Sequence, residues 1–393
     1  MTSRLEIKQK IEGFELYFKD RLILKHDKKM PCVKIGRGEG RIKVQKRHHR
    51  YSEVKEKHLK MMELSSFKVK KIKDSHIIID FEGILDIDIK KIDGRVEIKP
   101  SLMDAKFEHK KFNRFTLLLP SSPGERLYGC GEQFSVSQLN GNKFPLWTRE
   151  PGLGRDHSIP SILADLILGA GGAWHTTYYP QPSFISSKNY FVLADSHAYA
   201  EFNFRERDVH RLHFWEIPSR FIVDVQPSAV ATIGSLSEIL GRQPELPDWT
   251  IQGAWLGIGG GLEKLDPYSV PRKLKRALHY GVDVSTIWAQ DWSGLHSPSM
   301  FETRCFWNWE YDPERYPGLV DYIQQLNQRG VKFTGYNNCF LHEAGSLYKE
   351  AAREGYLIKN REGNPYAVAQ GTHSSGMLDL TNPDGWEWIK QKI

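Results

Sequence analysis

The sequence predicts an all-β domain followed by an α/β segment with parallel strands. From Gly13 to Leu119, apolar residues recur with period two, the repeat of a strand with one buried face. After Gln243 the pattern becomes strand, helix, strand, helix, strand, which calls for helical crossovers between parallel strands. The junction is marked by "GSLSEILGRQPELPDW": Gly234 to Gly241 reads as a helix, and the two prolines after it cannot continue one. The predicted domains are therefore 1–241 and 242–393.

In the first domain, "FELYF", "RLILKH", "HIIIDFEG", "FTLLLP", "YFVLADSHAYAEFNF" and "RFIVDVQ" read as strands. In "ILDIDIKKIDGRVEIKP", Asp93-Gly94 separates two apolar runs and signals a hairpin turn. Short strands at close intervals suggest an antiparallel sandwich. "KVQKRHHRYSEVKEKHLKMM" reads as a solvated loop or short helix. Its three histidines lack a carboxylate or cysteine at a recognisable ligand spacing, so no metal site is expected.

In the second domain, "TIQGAWLGIGGG" is a strand ending in glycines, and "PYSVPRKLKRALHYG" is an amphipathic helix closed by Gly281. "VDVSTIWAQD" is a buried strand, "YPGLVDYIQQLNQRG" a helix and "VKFTGYNN" a third strand. "HEAGSLYKEAAREG" is another helix, and "NPDGWEWIKQKI" opens a last one with Asn382 as cap and Pro383 in the first turn. Both an open doubly wound sheet and an eight-stranded barrel fit this order. Both place ligands at the C-terminal strand ends, where Gly259 to Gly261, Gln290, Asp291 and Asn337 fall. "GIGGG" lacks G-x-G-x-x-G spacing, so a dinucleotide cofactor is not indicated, and no other cofactor is expected.

Net charge is +7 over 393 residues, but it is uneven. Residues 1–120 hold 30 Lys+Arg against 18 Asp+Glu, and the remainder holds 25 against 30. A basic domain raises nucleic acid as a partner, but the lysines alternate with apolar residues, as in "FKVKKIK", the pattern of solvated strand faces. No nucleic-acid motif supports that partner. No apolar run approaches the roughly 20 residues of a membrane helix. The start lacks a secretory signal pattern, which makes the cytoplasm the expected location. Cys32, Cys130, Cys305 and Cys339 are far apart without a CxxC pair, so reduced thiols are expected.

The most informative stretch is "TIWAQDWSGLHSPSMFETRCFWNWEYDPERYPG". A buried strand ends on Gln290 and Asp291, and Arg304, Phe306, Trp307 and Trp309 follow. A guanidinium clamps an oxyanion with two donors, an indole offers a flat apolar face, and Gln290 both donates and accepts. Together they suit a sugar with an acidic substituent. An equal alternative is a hydrophobic plug at "FWNWEY", with Asp291 capping a turn. Cys305 reads as a packed residue rather than a nucleophile.

"ERLYGCGEQFSVSQLNGNKFPLWTREPGLGRD", "LGRQPELPDW", "IWAQDWSG", "RCFWNW" and "LDLTNPDGWEW" closely resemble bacterial sulfoquinovosidases of glycoside hydrolase family 31. The similarity runs from about Glu125 to Ile393. It implies an N-terminal β-sandwich followed by a (β/α)₈ TIM barrel, of which about three βα units are present. It also implies retaining hydrolysis of α-glycosides. By resemblance Gln290 binds sugar hydroxyls, Arg304 and Trp307 hold a sulfonate, Cys305 reaches the same site through its backbone, and Asp291 lies beside the sugar.

Two departures accompany the resemblance. The relatives carry a polar side chain where this sequence has Gly259, which implies spare room and one lost hydroxyl contact. The family's nucleophilic aspartate and its acid/base aspartate would both lie past Ile393, so no catalytic residue is assigned and a truncated barrel is expected. The alternative function is a non-catalytic carbohydrate-binding or regulatory product of a glycosidase gene.

Overall fold

The computed structural model describes residues 4–45, 50–73, 75–103, 112–149, 158–160, 162–163, 173–263, 266–299, 302–370 and 373–392. The chain forms two compact units. One holds Met1–Gln45 and Arg50–Arg242, and the other contains Gln243–Ile393.

The first unit is built on two large antiparallel sheets. The six-stranded sheet runs Lys143–Leu146, Ala200–Asn203, Val209–Phe214, Arg114–Pro120, Val33–Gln45, Arg50–Glu63. The eight-stranded sheet runs Leu127–Gly131, Pro180–Ser186, Tyr190–Asp195, Arg220–Val225, Arg95–Leu102, Leu85–Ile92, His76–Phe81, Phe67–Lys73. Their inward rows meet in one core: Phe221 of the larger sheet lies 5.9 Å from Phe115 and 5.6 Å from Phe214 of the smaller. A β-sandwich follows directly from the period-two pattern, because every second residue of each strand must find an apolar partner.

The Asp93-Gly94 hairpin forms as its residues require. Ile92 pairs with Arg95, and the two turn residues take φ of 49° and 77°, the left-handed pair of a two-residue hairpin. The described residues of the "KVQKRHHRYSEVKEKHLKMM" stretch are strand rather than loop or helix. Val33–Gln45 and Arg50–Glu63 form a long antiparallel ribbon, paired from Lys34↔Glu63 to Gln45↔Arg50 with register shifts between Arg37 and Glu39 and between Lys43 and Val44. Few apolar residues mark it because charge helps to hold it: Lys34 pairs with Glu63 at 2.5 Å, and Arg114 grips Glu56 with Nε and a terminal nitrogen at 3.0 and 2.9 Å. His48 and His49 lie outside the described residues.

The helix expected at Gly234 begins earlier and spans Ala229–Leu240. Ser228 caps it, its hydroxyl accepting from the Ala231 N–H at 3.2 Å. Leu236 then packs on Phe191, Leu193 and Ile222 of the larger sheet.

The second unit contains a parallel sheet, Ala254–Gly257, Val284–Ala289, Lys332–Gly335, in that order. Helices Val270–His279 and Leu319–Gln328 make the crossovers. Val270, Leu274, Leu319 and Leu326 bury against Ile287 and Ala289 of the central strand. A second core gathers Trp309, Leu341, Leu347, Leu357, Leu378, Trp388 and Ile389, and brings in helices Ser346–Glu354 and Pro383–Lys392. Asn382 caps the last helix, accepting from the Asp384 N–H at 3.0 Å. Two small antiparallel sheets in this unit were not expected from the sequence: the hairpin Leu295–Ser299 with Glu302–Cys305, and the sheet of Phe340–His342, His373–Met377 and Ala367–Gln370.

Candidate functional site

Val284–Ala289 is a strand because Val284, Thr286 and Ile287 are β-branched and buried. It delivers Gln290 to the surface, where that side chain is exposed. Asp291 turns inward and is only 6% exposed.

Asp291 is the hub of this strand end. Its carboxylate accepts from the Tyr316 hydroxyl at 2.5 Å, from Arg315 Nε at 2.6 Å and from the Gly260 N–H at 3.0 Å. Burial alone would raise its pKa, but the hydrogen bonds from Tyr316, Gly260 and Arg315 and the Arg315 charge outweigh that and lower it. It is therefore ionised at neutral pH. Both oxygens are committed to protein donors that lie far along the chain, so the turn-capping alternative understates what the residue does.

The glycines of "GIGGG" are explained by close approach. A Cβ at Gly259 would sit 2.7 Å from Asp291 Oδ1. Gly260 has φ of 120°, and a Cβ there would meet the Tyr268 carbonyl oxygen at 2.2 Å. The Gly259 carbonyl also accepts from Lys273 Nζ at 2.6 Å. The expectation of spare room at Gly259 is thus overturned, because the Cβ direction is already filled by the Asp291 carboxylate. Gly259→Ala is expected to cost about 1–3 kcal/mol by overpacking, measured as a lower denaturation midpoint. An unchanged midpoint would show that Asp291 moves aside freely.

Arg304 stands on a strand, not on a bare loop. Leu295 pairs with Cys305 and His296 with Arg304. Arg304 is exposed and Cys305 half-buried. Burial, and then the Asp291 charge, push the Cys305 thiol up, so it is not an activated thiolate. The Phe306 N–H ties the hairpin back to the Gly294 carbonyl at 3.0 Å.

The two indoles divide the alternatives between them. Trp309 is buried, with φ of 50°, in the second core, and is a plug. Trp307 is half-buried and stacks on Phe340 at 5.6 Å. Asn308, between them, donates to Glu310 at 2.7 Å and accepts from the Leu347 N–H at 3.1 Å, so it caps the helix Ser346–Glu354. Phe340 and His342 escape a sequence reading, although His342 N–H donates to the Trp307 carbonyl at 2.8 Å and its ring lies 4.7 Å from Phe306. Only their sheet pairing brings them there.

Residues 269–393 match the family described as Glycosyl hydrolases family 31 TIM-barrel domain. The chain is 37% identical to the sulfoquinovosidase of Escherichia coli (strain K12) over 391 residues, covering 98% of this chain and 56% of that protein. It is 31% identical to the sulfoquinovosidase of Agrobacterium fabrum, covering 97% of this chain and 55% of that one. Among solved structures, a family 31 sulfoquinovosidase from E. rectale, in complex with an aza-sugar inhibitor, superposes with a TM-score of 0.89 at 33% identity, covering 99% of this chain and 56% of that one. The chain thus spans about half the length of the curated relatives it matches. Its second unit matches the glycoside hydrolase family 31 TIM-barrel domain over residues 269–393, and the chain is similar to sulfoquinovosidases along nearly its whole length.

Proposed function

We propose that these residues form the sugar-recognising part of a retaining α-glycosidase of the sulfoquinovosidase type. The parallel strands are then the first three of a (β/α)₈ barrel, with the domain boundary near residue 241. The observation that carries the reading is the likeness to sulfoquinovosidases over nearly the whole chain. An exposed Gln290 at a strand end and an exposed Arg304 on the neighbouring hairpin agree with it.

In this reading Gln290 offers its amide to sugar hydroxyls, and Arg304 with Trp307 and the Cys305 backbone receives the sulfonate. Asp291 acts as a positioning residue, fixing the glycine loop and Arg315 beside the strand end. Retaining hydrolysis needs a nucleophilic carboxylate and an acid/base carboxylate roughly 5 Å apart. Asp291 suits neither role, because its oxygens are filled by Tyr316, Arg315 and Gly260. Asp379 accepts from the Thr381 N–H and hydroxyl at 3.0 and 2.5 Å, a local turn ahead of the last helix. The two catalytic carboxylates are therefore assigned to other residues of the enzyme, and its setting is the cytoplasm.

Arg304→Lys is the test. The planar fork is replaced by a point charge, so calorimetric affinity for methyl α-sulfoquinovoside should fall about tenfold, roughly 1.4 kcal/mol. Affinity for methyl α-glucoside should stay unchanged. Equal weakening of both ligands would refute the sulfonate assignment.

A further inference from the structure

The strand Val284–Ala289 carries an indole beside Gln290 that its packing does not use. Ile287 and Ala289 bury against the crossover helices, so Trp288, between them, points to the opposite face of the sheet. It is 36% exposed. The alternation puts Gln290, exposed as well, on that same face. The cross-strand partners of Trp288 are small, Gly257 on one side and Thr334 on the other, and neither covers an indole.

The ring is nevertheless held. A Cβ at Gly257 would lie 3.2 Å from Trp288 Cε3, so the missing side chain lets the indole lean over Ala254–Gly257. Tyr336 meets it from the other side, edge to face, at 6.0 Å and 80°. Tyr336 is itself fixed at both backbone groups. Its N–H donates to the Ala289 carbonyl at 3.1 Å, and its carbonyl accepts from Trp292 Nε1 at 2.9 Å. Trp292 in turn requires Gly335, where a Cβ would come within 2.7 Å of the indole. Packing explains a tryptophan that closes a core, as Trp309 does at 6% exposure. It does not explain an indole braced on two sides, open to solvent, and next to an amide that both donates and accepts.

We propose that Trp288 is the platform on which the C–H face of the pyranose ring lies while Gln290 takes its hydroxyls. The inference rests on the reading of Gln290 and Arg304 given above, and it assigns to Trp288 the sugar ring rather than the sulfonate. Calorimetry with methyl α-glucoside and methyl α-sulfoquinovoside tests it on the 393-residue chain. A second readout is 5-fluorotryptophan labelling, with the Trp288 ¹⁹F resonance assigned from Trp288→Phe. Both ligands should shift that resonance. Trp288→Ala should weaken both about tenfold and leave their affinity ratio unchanged. Trp288→Phe keeps a ring and should lose about threefold or less. Parent-like affinity in Trp288→Ala, an unmoved resonance at saturation, a phenylalanine variant no better than the alanine one, or a changed affinity ratio would each overturn the proposal and leave the Gln290 and Arg304 site standing. Failure of both glycosides to bind the parent would refute that site, and this inference with it.

Discussion

Replacing Asp291 by alanine is expected to destabilise the second unit by about 3 kcal/mol. The substitution leaves Arg315, Tyr316 and the Gly260 N–H without their common acceptor. Breaking a buried pair costs ~3–5 kcal/mol because the surviving charge stays desolvated. The lower end applies, since the Arg315 side chain keeps 30% of its exposure. Asp291→Asn retains an acceptor and should cost less. Hydrogen exchange should show Ala254–Gly257, Val284–Ala289 and Lys332–Gly335 opening more readily in Asp291→Ala, with the sandwich strands unchanged. Protection unchanged in all three strands would mean that the hub contributes nothing.

A loss of comparable size is expected in the sandwich under acid. Glu125 is 6% exposed. Burial would raise its pKa, but hydrogen bonds from His210, Ser186, Tyr190 and the Ser122 N–H hold it down to about 2. The folded value lies below the ordinary one of 4.5, so the stabilisation is complete above that value and is lost as pH falls toward 2. It amounts to about 3 kcal/mol. Glu125→Gln removes the titrating group, so its stability deficit relative to the parent protein should be largest near neutrality and shrink by about that amount as pH falls to about 2. A deficit independent of pH would contradict the role given to Glu125.

How much of this was legible in the sequence depends on how local each determinant is. Asp93-Gly94, Asn382-Pro383 and the glycines closing the helices act within a few residues, and the structure has a hairpin turn, a capped helix start and helix ends at those positions. The ribbon Val33–Gln45 with Arg50–Glu63 was misread because cross-strand charges replace the apolar signal. Gly259 was misread because its constraint comes from Asp291, just past the end of another strand. The Asp291 hub was half visible: the strand end was readable, but Arg315 and Tyr316 reach it only through the fold. The family likeness named Gln290, Arg304 and Trp307, whereas residue chemistry alone left a plug and a ligand site equally open. Trp309 is the plug, and Trp307 remains a proposed ligand contact.

Gln290 and Arg304 are proposed to mark a site selective for an anionic sugar. The most direct measurement is the affinity of the unmodified chain for methyl α-sulfoquinovoside against methyl α-glucoside, repeated with Gln290→Ala and Arg304→Met. The sulfonated ligand should bind the parent at least about tenfold more tightly, a difference of roughly 1.4 kcal/mol. Arg304→Met should erase that preference, while Gln290→Ala should weaken both ligands alike. Equal affinity of the parent for the two glycosides, or a preference that survives Arg304→Met, would contradict the account.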